Sequence, residues 1–378
     1  MVNSKPRVVI LGAGFGGLEL STTLSEALSG SIDITLIDKS DHFIFGFSKL
    51  DVMFGHKAAD AVRLPYSAFV KPGVRLLRET VTAIDPVTRR VTTNAGTHDA
   101  DYLVIALGAD YDVSETPGIT LGENEFYSVA GATHLRDVLP TFKRGHAVIG
   151  VCNAPFKCPP APSECALMLH DYLSTRGVRD ACTITLVLPL SAPVPPSPDT
   201  SKALVAAFAE RNIKLILTRK VTAVRGKTVV LDDASELPCD LFLGVPRNRA
   251  PDVVVATGMT EGGWVTIDPR TLETKHANVW ALGDLANTGA PKAGVFAEAA
   301  AKTVAARIMS RLRGEDPTAK NPGMGACYIE FGAGLVARVD ADFFSGPQPT
   351  GVYNAPSEEI AESKATWSAS LRARWFGM

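Results

Sequence analysis

The chain has 378 residues, of which 46% are apolar and 21% charged, with a net charge of −2 at pH 7. That length allows two or three compact units at about 150 residues each, and the composition is that of a globular protein with a filled core. The near-balanced charge, without a Lys/Arg-dense run, excludes a nucleic-acid footprint, and six cysteines are too few for a disulfide scaffold in a chain this long.

The N-terminal MVNSKPR runs straight into a strand at Val8–Leu11 and carries neither an apolar leader core nor paired arginines. No stretch of about 20 uninterrupted apolar residues is present to span a bilayer. The expectation is a cytoplasmic protein, at most peripheral on the cytoplasmic membrane face.

In chain order, RVVIL reads as a strand, LGAGFGGLELSTTLSEALSG as a helix opening on glycines, and IDITLID as a second strand. That alternation is the βαβ pattern of a parallel sheet. Short strands and turns follow from about Val74, with a hairpin signal at Asp85-Pro86, and end in YLVIALG. A second βαβ block starts at His146–Val151 and passes the proline loop CNAPFKCPPAP. Its helix is expected from an N-cap at Ser163 to a terminator at Gly177. The strand Thr183–Leu188, a helix near Ser201–Arg211 and several short strands to about Val245 complete it. NVWALGDLANTG returns to the first unit, with a helix after Pro291. The tail from Asn321 holds a two-strand signal, CYIEF and LVARVDADFF around GAG, and a last amphipathic helix.

The expected fold is therefore α/β: two Rossmann-like dinucleotide-binding domains in a glutathione-reductase-like arrangement, plus a small C-terminal α+β region. The boundaries are 1–115 with 250–325 for the first domain, 116–249 for the second, and 326–378 for the C-terminal region.

Gly12-Ala13-Gly14-Phe15-Gly16-Gly17 fits G-x-G-x-x-G between a strand and a helix. Gly12 makes the tight turn, Gly14 lets the backbone approach a pyrophosphate, and Gly17 lets helix and strand pack closely. The helix N-terminus offers free N–H groups to phosphates. Asp38, about 20 residues on at the tip of the next strand, is placed to hold ribose hydroxyls. Lys39 and Val81 join Phe15 and Gly16 in the expected cofactor-binding set.

Two later segments select FAD. Ala106-Leu107-Gly108-Ala109 is similar to the crossover segment of two-dinucleotide flavoproteins, and Gly283-Asp284 resembles the motif whose carboxylate holds the FAD ribitol. Asp284 reads alternatively as an ordinary helix N-cap. Ala293 and Gly294 would aim N–H groups at the flavin edge where negative charge develops on reduction. Lys292 either adds a cation there or is solvated.

The turn equivalent to the first glycine loop reads Gly150-Val151-Cys152-Asn153-Ala154-Pro155 and keeps only its first glycine. Pro155, Pro159, Pro160 and Pro162 lack the N–H that a second pyrophosphate needs, and the strand that follows ends in Leu188-Pro189 rather than an acid. The second block keeps the fold without the nucleotide, which removes NAD(P)H as the default electron donor.

Neither a helical Cys-x4-Cys after the first block nor a Cys-x-x-Cys in the second is present. Cys158 and Cys327 lie in irregular segments. Lys157 and the helix that follows would favour a thiolate at Cys158. Cys165, Cys182 and Cys239 read as small core residues, and Cys152 as ambiguous.

PFKCPPAPSECALML resembles the redox-cysteine loop of sulfide:quinone oxidoreductases, and still more that of the flavoprotein subunit of flavocytochrome c sulfide dehydrogenases. GACYIEFGAG resembles the segment carrying their second redox cysteine, and GAPKAGVFAEAAA their flavin-edge helix. The resemblance spans essentially the whole chain. It implies that Cys158 and Cys327 are a redox pair beside the isoalloxazine and that Glu164 moves protons. Hydrosulfide, or a small thiol or persulfide, would attack a disulfide or polysulfide bridge between the cysteines, and electrons would pass through FAD to a quinone or a separate acceptor protein. HFIFGFSK has no cysteine to anchor the flavin, so FAD is expected to be non-covalent. The third cysteine of some quinone reductases, near Tyr127-Ser128, is absent, and no Cys-x-x-Cys-His haem site occurs.

Ile360, Trp367, Leu371 and Trp375 share one face of the last helix, with Lys364, Arg372 and Arg374 around it. That face is either interfacial, admitting a lipid-borne quinone, or docked on the protein itself. Phe331, Phe343 and Phe344 either line a quinone pocket or belong to the core. Two other functions share this fold: a type-II NADH:quinone dehydrogenase, which needs no cysteines, and a non-catalytic flavin redox sensor.

Overall fold

A computed structural model describes residues 5–378, so the start at residues 1–4, read above as leaderless, lies outside the described residues. The strand Arg7–Leu11 sits at the centre of a five-stranded parallel sheet. Asp33–Asp38 and Val74–Arg78 lie on one side of it, Tyr102–Ile105 and Val279–Ala281 on the other. Every residue of the central strand after Arg7 is buried, because helices or loops cover both faces. The return of the chain at Val279–Ala281 agrees with the reading of NVWALGDLANTG.

A second, four-stranded parallel sheet is ordered Ile213–Leu217, Cys182–Leu188, Gly145–Val151, Leu241–Val245. The fold is thus the expected pair of Rossmann-like units. They are followed by a three-stranded antiparallel sheet of Met324–Gly332, Leu335–Asp342 and Thr350–Ser357 and by the helix Glu358–Phe376. The Asp85-Pro86 signal is a hairpin turn between Val81–Asp85 and Arg90–Thr93.

Two helix starts differ from expectation. The helix predicted to begin behind Ser163 spans Ala161–Thr175 with Pro160 as its cap, and Ser163 is buried in its first turn. The helix predicted near Ser201 spans Pro198–Glu210. In both, proline occupies the first turn, where its fixed φ suits the helix and its missing N–H costs nothing. Gly177, with φ +67, terminates the first of them as expected.

The terminal helix is docked on the protein. Its start is capped by Ser357, whose Oγ accepts from the Ile360 N–H at 3.1 Å. Leu371, Trp375 and Phe376 are buried with Leu18, Leu20 and Phe43 in the core of the first unit. Glu19, fully buried, accepts from Trp375 Nε1 and from Arg374 Nε, each at 2.9 Å. Burial works to raise the Glu19 carboxyl, and those two hydrogen bonds outweigh it and hold it below the usual range.

The three tail phenylalanines are packing residues: Phe331 is in the core, Phe343 lies edge-on to Phe296, and the Arg270 guanidinium covers Phe344. Cys152, Cys165, Cys182 and Cys239 are buried. Among the described residues no helix is long and apolar enough to cross a membrane.

Candidate functional site

A cavity of about 380 Å³ opens where the first sheet, the proline loop of the second unit and the C-terminal sheet meet. Its first wall is the glycine turn. Gly12 has φ +97, and a β-carbon on it would stand 2.4 Å from the Ala106 carbonyl oxygen. On Gly17 it would stand 1.8 Å from the Gly12 oxygen, so Gly17 lies beneath the helix and not on the cavity. The turn is held by the Gly12 N–H on Ile37 O, 2.7 Å, and by the Tyr66 hydroxyl on Ala13 O, 2.7 Å.

Asp38 accepts from the Ala13 N–H at 2.7 Å and from the Ser40 N–H at 2.8 Å. Its carboxylate therefore braces the turn and keeps spare lone pairs toward the cavity it lines. The helix Phe15–Leu28 begins on Gly14 without a side-chain cap or an acidic residue in its first turn. Beside Gly14 nothing lies within 4 Å of where a β-carbon would stand. Uncapped N–H groups facing open space at a helix N-terminus fit a pyrophosphate.

Ala106, Leu107, Gly108, Gly283 and Asp284 line the next wall. Asp284 is not a helix cap: the following helix, Gly294–Leu312, is capped by Ala293. Among the described residues its carboxylate has no hydrogen-bond partner of its own, which fits a carboxylate waiting for a ligand hydroxyl. Ala293 and Gly294 also line the cavity, at the start of a helix with no side-chain cap. The residues present fit an FAD on each of these counts.

Lys292 is only 7% exposed, which removes the solvated reading. Its ammonium donates to Asp284 O at 2.6 Å, reaches Ala286 O at 3.3 Å and lies 3.5 Å above the Trp264 ring. Burial pulls it down to about 8. Two members of the expected cofactor set lie elsewhere. Lys39 is exposed and Val81 packs with Leu77 and Leu107 beside the core, and neither lines the cavity.

The opposite wall carries sulfur. Cys158, with φ +48, and Cys327, on the strand Met324–Gly332, both line the cavity as free thiols. The proline loop is fixed there by the Cys158 N–H on Lys292 O, 2.8 Å, and by the Tyr127 hydroxyl on Cys158 O, 3.3 Å. The expected thiolate at Cys158 is not what this setting favours. Lys157 turns away, donating to Ala109 O at 2.7 Å and covering the Tyr111 ring. The Ala161 N–H at the helix start is taken by Cys158's own carbonyl. Burial then dominates, pushing Cys158 far above the usual thiol range and Cys327 up to about 12.

Glu164 lines the same cavity, 1% exposed, and accepts from the Glu330 N–H on the strand that carries Cys327 at 3.0 Å. Burial raises it to about 7, against the pull of Lys364. A carboxyl that titrates near neutrality, in one cavity with two protonated thiols, is a proton acceptor in the right place.

The second turn offers no matching cradle. The Cys152 N–H is bound to Val245 O and the Lys157 N–H to Asn248 Oδ1, while the Ser163 and Glu164 N–H groups both go to Pro160 O. These four amides around the place of a second pyrophosphate are thus already bound within the protein.

Several cavity residues were not legible as such. Lys49 and Tyr66 stand in unremarkable sequence. Lys364 and Trp367 belong to the last helix, whose face reads from sequence as either interfacial or docked, and both line the cavity. A lysine lying in the apolar stripe Ile360, Trp367, Leu371, Trp375 was the available signal.

Residues 6–303 match the family described as Pyridine nucleotide-disulphide oxidoreductase. Among curated relatives, the mitochondrial sulfide:quinone oxidoreductase of Mus musculus is 24% identical over 400 residues, covering 98% of this chain and 87% of the relative. The sulfide-quinone reductase of Aquifex aeolicus (strain VF5) is 28% identical over 375 residues, covering 89% and 82%. The crystal structure of the sulfide:quinone oxidoreductase from Aquifex aeolicus superposes with a TM-score of 0.87 at 23% identity, over 98% of this chain and 91% of that one.

Proposed function

The chain belongs to the pyridine nucleotide-disulphide oxidoreductase family and is an FAD-dependent oxidoreductase, and we propose that it oxidises hydrosulfide through Cys158 and Cys327 and delivers the electrons to a quinone. The observation that carries this reading is the convergence, on one cavity, of two cysteines from distant segments and a buried carboxyl at about 7.

In the oxidised form of the pair, hydrosulfide attacks one sulfur of a Cys158–Cys327 disulfide. A new S–S bond forms to the attacked cysteine, the bond between the cysteines breaks, and the other cysteine leaves as thiolate. The persulfide S–H proton passes to the Glu164 carboxylate. Gly12, Gly14, Phe15, Gly16, Asp38, Ala106, Leu107, Gly108, Gly283, Asp284, Lys292, Ala293 and Gly294 would hold the FAD, with Gly17 shaping the turn from beneath. The bound flavin supplies a two-electron acceptor beside the sulfurs and a route onward to the quinone.

What supports sulfur over NADH as donor is the closed second turn, whose amides are already bound. What supports a quinone is the aromatic wall of Phe47 and Trp367, backed by the buried Phe45, and a neighbouring groove of about 480 Å³ that shares Val295, Ala326 and Trp367 with the cavity. An apolar tail fits that groove, and approach from a membrane surface belongs to the same proposal.

The test is an anaerobic titration of the flavin absorbance. Sulfide bleaches the wild type, NADH does not, and a soluble quinone restores the colour. Cys158→Ser and Cys327→Ser keep FAD and lose the sulfide response. Bleaching that survives both changes, or bleaching by NADH, overturns the proposal.

A further inference from the structure

The terminal helix reaches into the sulfur side of the cavity. Lys364 leaves it inward, with its side chain 12% exposed and its ammonium 2.6 Å from Glu330 Oε1. Glu330 stands on the same strand as Cys327, and its own backbone N–H donates to Glu164 Oε1. Helix, strand and carboxyl are joined in series, each from a different part of the chain.

Resting on the sulfide reading above, we infer that Lys364 is a positioning residue for Glu164: through its ion pair with Glu330 it fixes the strand segment that holds the carboxyl, and it brings a cation to the group that takes the proton. The chemistry would then depend on a helix that contributes no sulfur to the step.

Every charged or titratable neighbour of Glu164 bears on this. Lys364 faces it from the terminal helix, Glu330 from the strand, and Asp51 from the helix Ser48–Met53. Cys158, Cys165, Cys327 and Tyr127 surround it from the proline loop, its own helix, the strand and the segment before Ser128. Asp51 is itself held by Lys57 at 2.7 Å and His56 at 3.8 Å.

Burial and the Glu330 and Asp51 carboxylates favour the neutral acid, and Lys364 opposes them together with the Glu330 backbone N–H. Burial works against the lysine's charge too, but Glu164, Glu330 and Asp51 outweigh it and keep the ammonium protonated. Without the lysine, Glu164 would stay protonated to higher pH and could not accept the persulfide proton at neutrality. The step it serves is a proton transfer: the S–H bond breaks, a carboxyl O–H forms, and nothing is oxidised.

The two members of the ion pair pull Glu164 in opposite directions, and this makes the inference testable. Infrared difference spectra between wild type and Glu164→Gln isolate the band of the protonated buried carboxyl, and the pH at which it disappears is read in each variant of the holoprotein. Lys364→Gln should move that midpoint up by about one pH unit or more, Glu330→Gln should move it down, and Lys364→Arg should leave it near wild type. The rising limb of the pH profile for sulfide oxidation should follow in the same directions, with the quinone KM unmoved.

Shifts in one common direction, or no shift in either variant, overturn the inference, because a structural disturbance has no reason to change sign. If Lys364→Gln does not fold, Glu330→Gln decides alone: a midpoint that fails to fall overturns it. The infrared midpoint needs no turnover, so a protein that never oxidises sulfide would sink the sulfide reading and leave this measurement standing.

Discussion

The backbone N–H of Cys158 donates to the carbonyl oxygen of Lys292 across 2.8 Å. This single bond ties the proline loop of the second unit to the segment that precedes the Gly294–Leu312 helix of the first. On one side of it is a thiol, and on the other a buried lysine whose ammonium holds the Asp284 carbonyl. The sulfur wall and the cofactor wall of the cavity are therefore joined through the backbone.

Lys292→Met should expose that coupling. The variant keeps the backbone bond and loses a cation expected where negative charge develops on flavin reduction. The flavin midpoint potential should become more negative by roughly 30 mV, equivalent to about 1.4 kcal/mol for a two-electron couple. A spectroelectrochemical titration reads it directly, and an unchanged potential would place the lysine's charge out of reach of the flavin.

Asp284→Ala should weaken flavin retention without disturbing the fold. Its carboxylate has no other hydrogen bond among the described residues, so the loss is that of a hydrogen bond to a charged group, about 1.5–3 kcal/mol. Roughly a tenfold to hundredfold rise in FAD dissociation constant is expected by equilibrium dialysis. Gly17→Val is the harsher contrast. With the Gly12 carbonyl 1.8 Å from the new β-carbon, the turn itself cannot form and the protein should carry no flavin.

Glu164 makes stability depend on pH in a window that can be named. Its folded value, about 7, lies above the ordinary 4.5. The folded state therefore holds the proton more tightly, and this contribution is complete below about 4.5 and is lost as pH rises through 7. The full effect is about 3 kcal/mol. Urea midpoints of the holoprotein at pH 5 and pH 7.5 should show this decline, and Glu164→Gln should flatten it. A decline that persists in the variant would assign the effect to other groups.

Trp375→Ala should destabilise the protein by about 3–5 kcal/mol, the usual cost of emptying a buried aromatic site. It also removes the indole N–H from the Glu19 carboxylate, which is fully buried. Thermal unfolding checks this. A loss confined to a few tenths of a kcal/mol would mean that the terminal helix is only loosely attached.

Trp367→Ala separates the two half-reactions. The quinone KM should rise about tenfold, as expected when a buried contact worth 1–3 kcal/mol is removed, while anaerobic bleaching by sulfide proceeds as in the wild type. Equal damage to both halves would remove Trp367 from the quinone wall.

The glycine turn, its strand and helix, Asp38 and the Gly283-Asp284 segment could be read from one dimension, and so could the closed second turn at Gly150–Pro155. Those features are local: they state which residues permit a positive φ, a close backbone approach or a free N–H, and such requirements are met or broken by a handful of consecutive residues. Lys39 adjoins Asp38 and Val81 starts the strand Val81–Asp85, and neither lines the cavity, because spacing places a residue on a strand end without saying which way the wall curves.

The sulfur wall was legible only in outline. That Cys158 and Cys327 belong together came from a resemblance, since nothing in either segment points to the other. The thiolate expected at Cys158 is argued from local charge, and burial opposes it. Lys157 precedes Cys158 in sequence, yet its ammonium is spent on Ala109 O and the Tyr111 ring. Lys364 is remote in sequence and is the cation that matters to Glu164.

The sequence by itself determined the two Rossmann-like units, the FAD turn and the loss of the second nucleotide cradle, because backbone conformation follows from neighbouring residues. Tertiary structure alone decided that the last helix docks inward and that burial raises the Cys158 and Cys327 thiols and the Glu164 carboxyl. The reason is desolvation: the cost of a charge depends on everything that covers it, and at this cavity the cover comes from the first sheet, the proline loop, the strand carrying Cys327 and the terminal helix together.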